Sequence, residues 1–200
     1  MSLIIDKQTL DDLNIFGKRD NDSVYSIFNR THTRGGAEIL EQLFRYPLSD
    51  VGSINHRSSI IRFFKGMQTV FPFKGELFDA AEQYLANTDE RSKLSHSENT
   101  LGRKFNNLIG ADTEFQLVAK GIAAVIEILV RLKDFAKEMG ASAAGTAYAT
   151  DLQEINRLLT IPDLKTMFGE KIPVKLDYAK AVEYDKLLRY VHRERIKKLL

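Results

Sequence analysis

Residues 112–139 read DTEFQLVAKGIAAVIEILVRLKDFAKEM, and this stretch decides the fold. Phe115, Val118, Ile122, Val125, Leu129, Leu132, Ala136 and Met139 follow one another at intervals of 3, 4, 3, 4, 3, 4 and 3. That spacing puts all eight on one face of a helix. Ile126, Ile128 and Val130 widen the apolar face beyond a strict two-in-seven seam. The helix is therefore expected to be buried within its own chain and packed on more than one side. Asp112 is the expected N-cap, Glu114 suits the positive end of the helix dipole, and Gly140 is the expected stop. A helix over 112–139 is roughly 42 Å long, at 1.5 Å rise per residue.

Working outward from it, the pattern predicts shorter helices. One covers 23–30, with Val24, Ile27 and Phe28. A second is capped by Thr33, carries Ala37, Leu40, Leu43 and Phe44, and ends before Pro47. A third is capped by Ser49 or Asp50 and carries Val51, Ile54, Ile61 and Phe64. Segments 76–85 and 101–109 read as two more, with a polar loop over 87–99 between them. The small residues of 140–150 read as a linker or frayed turn. Short helices are expected over 151–159 and 162–168. A final helix is expected from about 175 to Leu200, with Ala181, Tyr184, Leu188 and Val191 on one face and Arg195 where an apolar residue is due. No stretch alternates cleanly enough for a strand. The fold class is all-α, one domain of stacked helices: a short-helix region over 1–110, the long helix over 111–139, a connection over 140–174, and a return helix over 175–200 that is cut short.

Composition narrows the function classes. The 200 residues include 29 Lys plus Arg and 27 Asp plus Glu, a formal net charge of +2. A protein built mainly to coat nucleic acid shows a larger basic excess. Cysteine is absent, which removes disulfides, thiolate metal sites and a cysteine nucleophile. The first residues carry no secretory signal pattern, and the apolar run 121–130 is interrupted by Glu127 and far too short to span a bilayer. A cytoplasmic protein without a membrane partner is expected.

His32, His56, His96 and His192 show no metal-ligand spacing, and there is no Gly-x-Ser-x-Gly elbow. The run from Gly140 to Thr146, GASAAGT, mimics a phosphate loop in its glycine spacing but lacks the lysine and follows a helix rather than a strand. No catalytic, cofactor-binding or metal-binding residue is assigned, and the segment is expected to be non-catalytic. The last helix carries a basic cluster, Arg189, His192, Arg193, Arg195, Lys197 and Lys198, opposed by Glu194. Arg189, Arg193, Arg195, Lys197 and Lys198 are the candidate phosphate contacts. Against that stands the plain reading of a solvated helix face.

Residues 23–64 then carry a resemblance. SVYSIFNRTHTRGGAEILEQLFRYPLSDVGSINHRSSIIRFF resembles the core (lever) domain of the MutS family of DNA mismatch repair ATPases. The matching positions are Thr31, Thr33, Gly36, Leu40, Arg45, Pro47, Leu48, Ile54, Asn55 and Arg57. Upstream, Asp6, Thr9, Leu10 and Leu13 resemble the family's lead-in. The departures are Glu38, Leu43 and Ser59, where the family usually has arginine, tryptophan and aspartate. Physically the motif concerns packing. Thr33 caps a helix, Gly36 is expected to admit another helix backbone, Pro47 ends the helix, and Asn55 and Arg57 are expected to bind backbone carbonyls.

The resemblance implies a divergent member with no mismatch-reading domain before it and with the family's clamp domain reduced to the 140–174 connection. It implies that the chain couples DNA engagement to an ATPase domain downstream, with ATP and Mg bound there and none here. The expected partners are that ATPase domain, a second copy in a homodimer, and DNA. The rival reading is a helical protein–protein interaction module unrelated to DNA.

Overall fold

A computed structural model describes residues 3–17, 22–87, 94, 110–165, 167 and 176–200, with the side chains of 110–114 and 164 left aside. Among these residues the chain is helical, and Leu48 makes a single isolated bridge. The elements are α1 (Lys7–Asp12), α2 (Val24–Phe28), α3 (Arg34–Arg45), α4 (Val51–Met67), α5 (Gly75–Ala86), α6 (Gly110–Ala143), α7 (Ala149–Leu159), a 3-10 turn (Pro162–Leu164), α8 (Tyr178–Asp185), a π turn (Lys186–Val191) and α9 (Arg193–Lys197). They divide into two compact units. The first holds Met1–Gly75 and Ala143–Ala149, the second Glu76–Ser142 and Thr150–Leu200.

The first unit is built on caps and aromatic contacts. The Asp6, Ser23, Thr33 and Asp50 side chains each accept a hydrogen bond from the backbone N–H three residues on, which starts α1 to α4. Asp50, not Ser49, caps α4. The N–H bond from Thr9 holds the Asp6 carboxyl below the usual carboxylate range, and that from Ser53 does the same for Asp50. Tyr25 is the hub. Its ring lies 5.5 Å from Phe16 and 5.8 Å from Phe44, and its hydroxyl donates to the Ala37 carbonyl at 3.0 Å. Elsewhere in this unit the Phe63 and Phe64 rings flank Tyr148 at 5.6 and 4.8 Å.

The second unit is organised by α6. Of the eight seam residues, Val118, Ile122, Val125, Leu129, Ala136 and Met139 are buried, while Phe115 and Leu132 are half-buried. Ala124, Ile126 and Ile128 are buried as well, so the middle of this helix is enclosed on more than one side. The long helix thus belongs to its own chain's core. Its ends differ from the expected ones. It already includes Gly110, so Asp112 sits in its first turn rather than at its cap. It also runs through Gly140 to Ala143, because three helix-compatible residues follow the glycine. The stop falls instead at Gly145, whose φ of +74° supplies the left-handed turn, and Thr146 Oγ1 donates to the Ala143 carbonyl at 2.7 Å.

The C-terminal segment is the second departure. A single helix from 175 is replaced by α8, the π turn and α9. The closing bond runs from His192 N–H to Leu187 C=O, an i to i−5 step at 2.9 Å. One extra residue per turn shifts everything after it. On a straight helix Val191 and Arg195 would follow Leu188 on the buried face. In the structure Leu188 and Ile196 are fully buried, and Val191 is 54% exposed. The register slip is the physical answer to an arginine falling on an apolar face. Ile196→Ala is accordingly expected to cost about 2–5 kcal/mol in urea denaturation, and Val191→Ser less than about 0.5 kcal/mol. Reversed magnitudes would refute this register. Segment 101–109, expected to be helical, and nearly all of the 87–99 loop lie outside the described residues.

Candidate functional site

The five cations of the C-terminal cluster have three different fates. Arg189 was placed among the phosphate contacts, but only 2% of it is exposed and its guanidinium donates to Asp185 Oδ2 at 2.8 Å. The four-residue spacing of Asp185 and Arg189 turns both inward on the helix, so Arg189 does not belong to the surface set. Arg193 and Arg195 are half-buried. Arg193 Nε donates to the Leu85 carbonyl at 2.9 Å, and Arg195 donates to the carbonyls of Arg157, Leu158 and Thr160. Those acceptors lie at the C-terminal ends of α5 and α7, where carbonyls lack helical partners. The two arginines thus cap two helices from a third element. Lys197 and Lys198 remain exposed, and Lys197 lies 3.8 Å from Glu194. His192 faces Asp163 at 3.1 Å.

Beneath this surface lies a buried polar node. Asp185 Oδ1 accepts from the Tyr84 hydroxyl at 2.8 Å, and Oδ2 accepts from Arg189 and, at 3.4 Å, from the Leu94 N–H. The ion-paired side chains are each 1% exposed. Burial opposes charge on Arg189, but the hydrogen bond and the negative charge of Asp185 outweigh it and raise its pKa. Burial, then the Asp185 carboxylate, pushes ionisation of Tyr84 far above the ordinary phenol range. A carboxylate held by a guanidinium is a poor general base, so the node is suited to fixing geometry. It also sets a pH limit. Tyr84 stays neutral when folded, whereas the unfolded phenol ionises near pH 10. Its contribution to stability is present below that pH and is lost as pH rises above it. Urea midpoints from pH 9 to 11 are expected to fall in the parent chain and to fall less steeply in Tyr84→Phe; parallel curves would contradict this.

The N-terminal motif residues serve the first unit. Thr33 Oγ1 accepts from the Gly36 N–H at 3.0 Å, and Thr31 donates through both its N–H and its hydroxyl to Asn29 Oδ1. A methyl group at Gly36 would lie 2.8 Å from Thr33 Oγ1 and 3.5 Å from Thr31 Cβ. This glycine makes room for its own cap, not for another helix backbone as expected. Arg45 pairs with Glu41 and lies over the Phe16 ring at 4.3 Å. The Pro47 carbonyl accepts from the Leu3 N–H at 2.8 Å, and Leu48 is half-buried. Asn55 is exposed and Arg57 half-buried; neither reaches a backbone carbonyl among the described residues, contrary to expectation.

Sequence reasoning passed over Tyr84 and Asp185. The available signal was Asp185 adjoining Tyr184 and Leu188 on the apolar face, four residues before an arginine. Among the described residues no cluster of three or more His, Asp or Glu could hold a metal, and no helix is long and apolar enough to cross a membrane. In comparison with known families, the model of MutS domain III matches residues 8–198. No curated protein and no solved structure matches the chain.

Proposed function

The chain belongs to the MutS family through its domain III, the core or lever segment, and from that premise we propose that it couples DNA engagement to an ATPase domain downstream. The observation that carries this reading is α6. Its 34 residues make a rod of roughly 51 Å, enclosed by apolar packing along its middle. A stiff element of that length turns a small rotation at one end into a large displacement at the other. The segment itself is a transmitter without chemistry. ATP and Mg belong to the downstream domain, since this chain has no Gly-x-x-x-x-Gly-Lys sequence. The intact protein dimerises and acts in the cytoplasm, and the 140–174 connection stands where the family inserts its clamp.

The coding sequence beyond Leu200 tests this first. A strand, Gly-x-x-x-x-Gly-Lys-Ser/Thr loop and helix supports it, and a stop codon overturns it. Exposed Lys197 and Lys198 are the DNA contacts in this reading. Changing both to glutamate is expected to lower the salt slope of duplex binding by about 2, and no binding by the parent chain at low salt removes the DNA contact. The rival interaction-module reading has its own observation: Ile27, Phe28, Ile39, Val51 and Ile61, on α2 to α4, are each more than 60% exposed.

A further inference from the structure

We propose that the cavity beside α5 binds a small zwitterion, a free α-amino acid with an aliphatic side chain. The cavity has a volume of about 340 Å³ and lies entirely within the second unit. Its α5 wall carries the carboxylates of Glu76 and Asp79, three residues apart and so on one helix face. Lys120 from α6 supplies positive charge on another wall, Arg189 from the π turn lines the cavity with its charge answered by Asp185, and Leu117 and Val118 supply apolar surface.

The arrangement of charge selects the ligand. Glu76, Asp79 and Lys120 have no hydrogen bond or ion pair among the described residues. A simple anion would meet two carboxylates here, and a simple cation would meet Lys120. An uncharged apolar molecule would strip water from charged groups and return nothing. An α-amino acid carries its ammonium and carboxylate on one carbon, so it presents the first to Glu76 and Asp79 and the second to Lys120, while an aliphatic side chain covers Leu117 and Val118. The volume is at the small end for ligand sites, which suits an amino acid rather than a large cofactor. Arg189 is already bound to Asp185, so the ligand carboxylate falls mainly to Lys120. The π turn in the wall agrees with the recurrence of such turns at functional sites. This inference stands apart from the lever reading, because it uses neither DNA nor ATP.

The test is an amide-resolved NMR titration of the whole chain with L-leucine, N-acetyl-L-leucine and L-leucinamide. Leucine is expected to give saturable shifts around residues 76–83 and 117–121. Neutralising either end should weaken binding by about tenfold. Lys120→Glu should abolish the preference for leucine over leucinamide, and Glu76→Gln with Asp79→Asn should abolish the preference over N-acetyl-leucine. All three positions are exposed, so the fold should persist, and the unperturbed spectrum elsewhere checks that. Absence of saturable shifts at millimolar leucine, equal binding of the three compounds, or preferences that survive the substitutions would each overturn the proposal.

Discussion

Gly121→Ala is expected to destabilise the chain by about 3 kcal/mol or more, although alanine is the better helix former by about 1 kcal/mol. A methyl group at this position would sit 2.5 Å from Tyr84 Cγ and closer still to Tyr84 Cβ. A Cβ cannot swing aside as a side-chain tip can, because it moves only with its backbone. Alanine therefore has to push α5 away from α6. That displacement also draws the Tyr84 hydroxyl from Asp185, to which it donates at 2.8 Å. Gly140→Ala, in the same helix, is the control. Nothing lies within 4 Å of its added methyl group, so the intrinsic preference of about 0.5–1 kcal/mol should appear as a gain. Urea midpoints of the two variants should move in opposite directions. An unchanged or raised midpoint for Gly121→Ala would show that α5 does not pack as described.

The second large effect concerns the Asp185–Arg189 pair. Asp185→Ala is expected to cost about 3–5 kcal/mol, because it leaves a guanidinium uncompensated in the core. Arg189→Met should be costly for the converse reason, with the carboxylate left to Tyr84 and the weak Leu94 contact. Asp185→Asn combined with Arg189→Met removes both charges. It should cost less than the sum of the two single changes, with a coupling energy of about 1–3 kcal/mol in a double-mutant cycle. The coupling should also persist at high salt, since screening hardly reaches a buried pair. Simple additivity, or a coupling that vanishes with added salt, would mean that the pair is solvated.

Much of the fold was legible in the chain because helical structure is written in local spacing. The α6 seam, the cap at Thr33, and the end of α3 before Pro47 all follow from residues a few positions apart. The errors share one cause: a competition that no local pattern settles. Gly140 is a fair stop signal, yet Gly145, five residues on, takes the left-handed conformation. Arg189 looked like part of a solvated basic face until Asp185, one turn before it, and Tyr84, about a hundred residues away, were seen to meet it in the core. Val191 fitted the apolar stripe, but burying Ile196 instead keeps Arg195 at the surface, where it reaches the end of α7.

The sequence by itself determined that this protein is helical, that its longest helix is enclosed by its own chain, and that its family is that of the MutS core. Periodicity, caps and a motif of fixed order are properties of neighbouring residues, and they survive without a fold around them. Only the tertiary structure decided which charges are buried, which glycine leaves no room for a Cβ and where the last helix changes register. Those outcomes depend on how closely α5, α6 and the C-terminal segment approach one another. That approach is set by close packing between residues far apart in the chain.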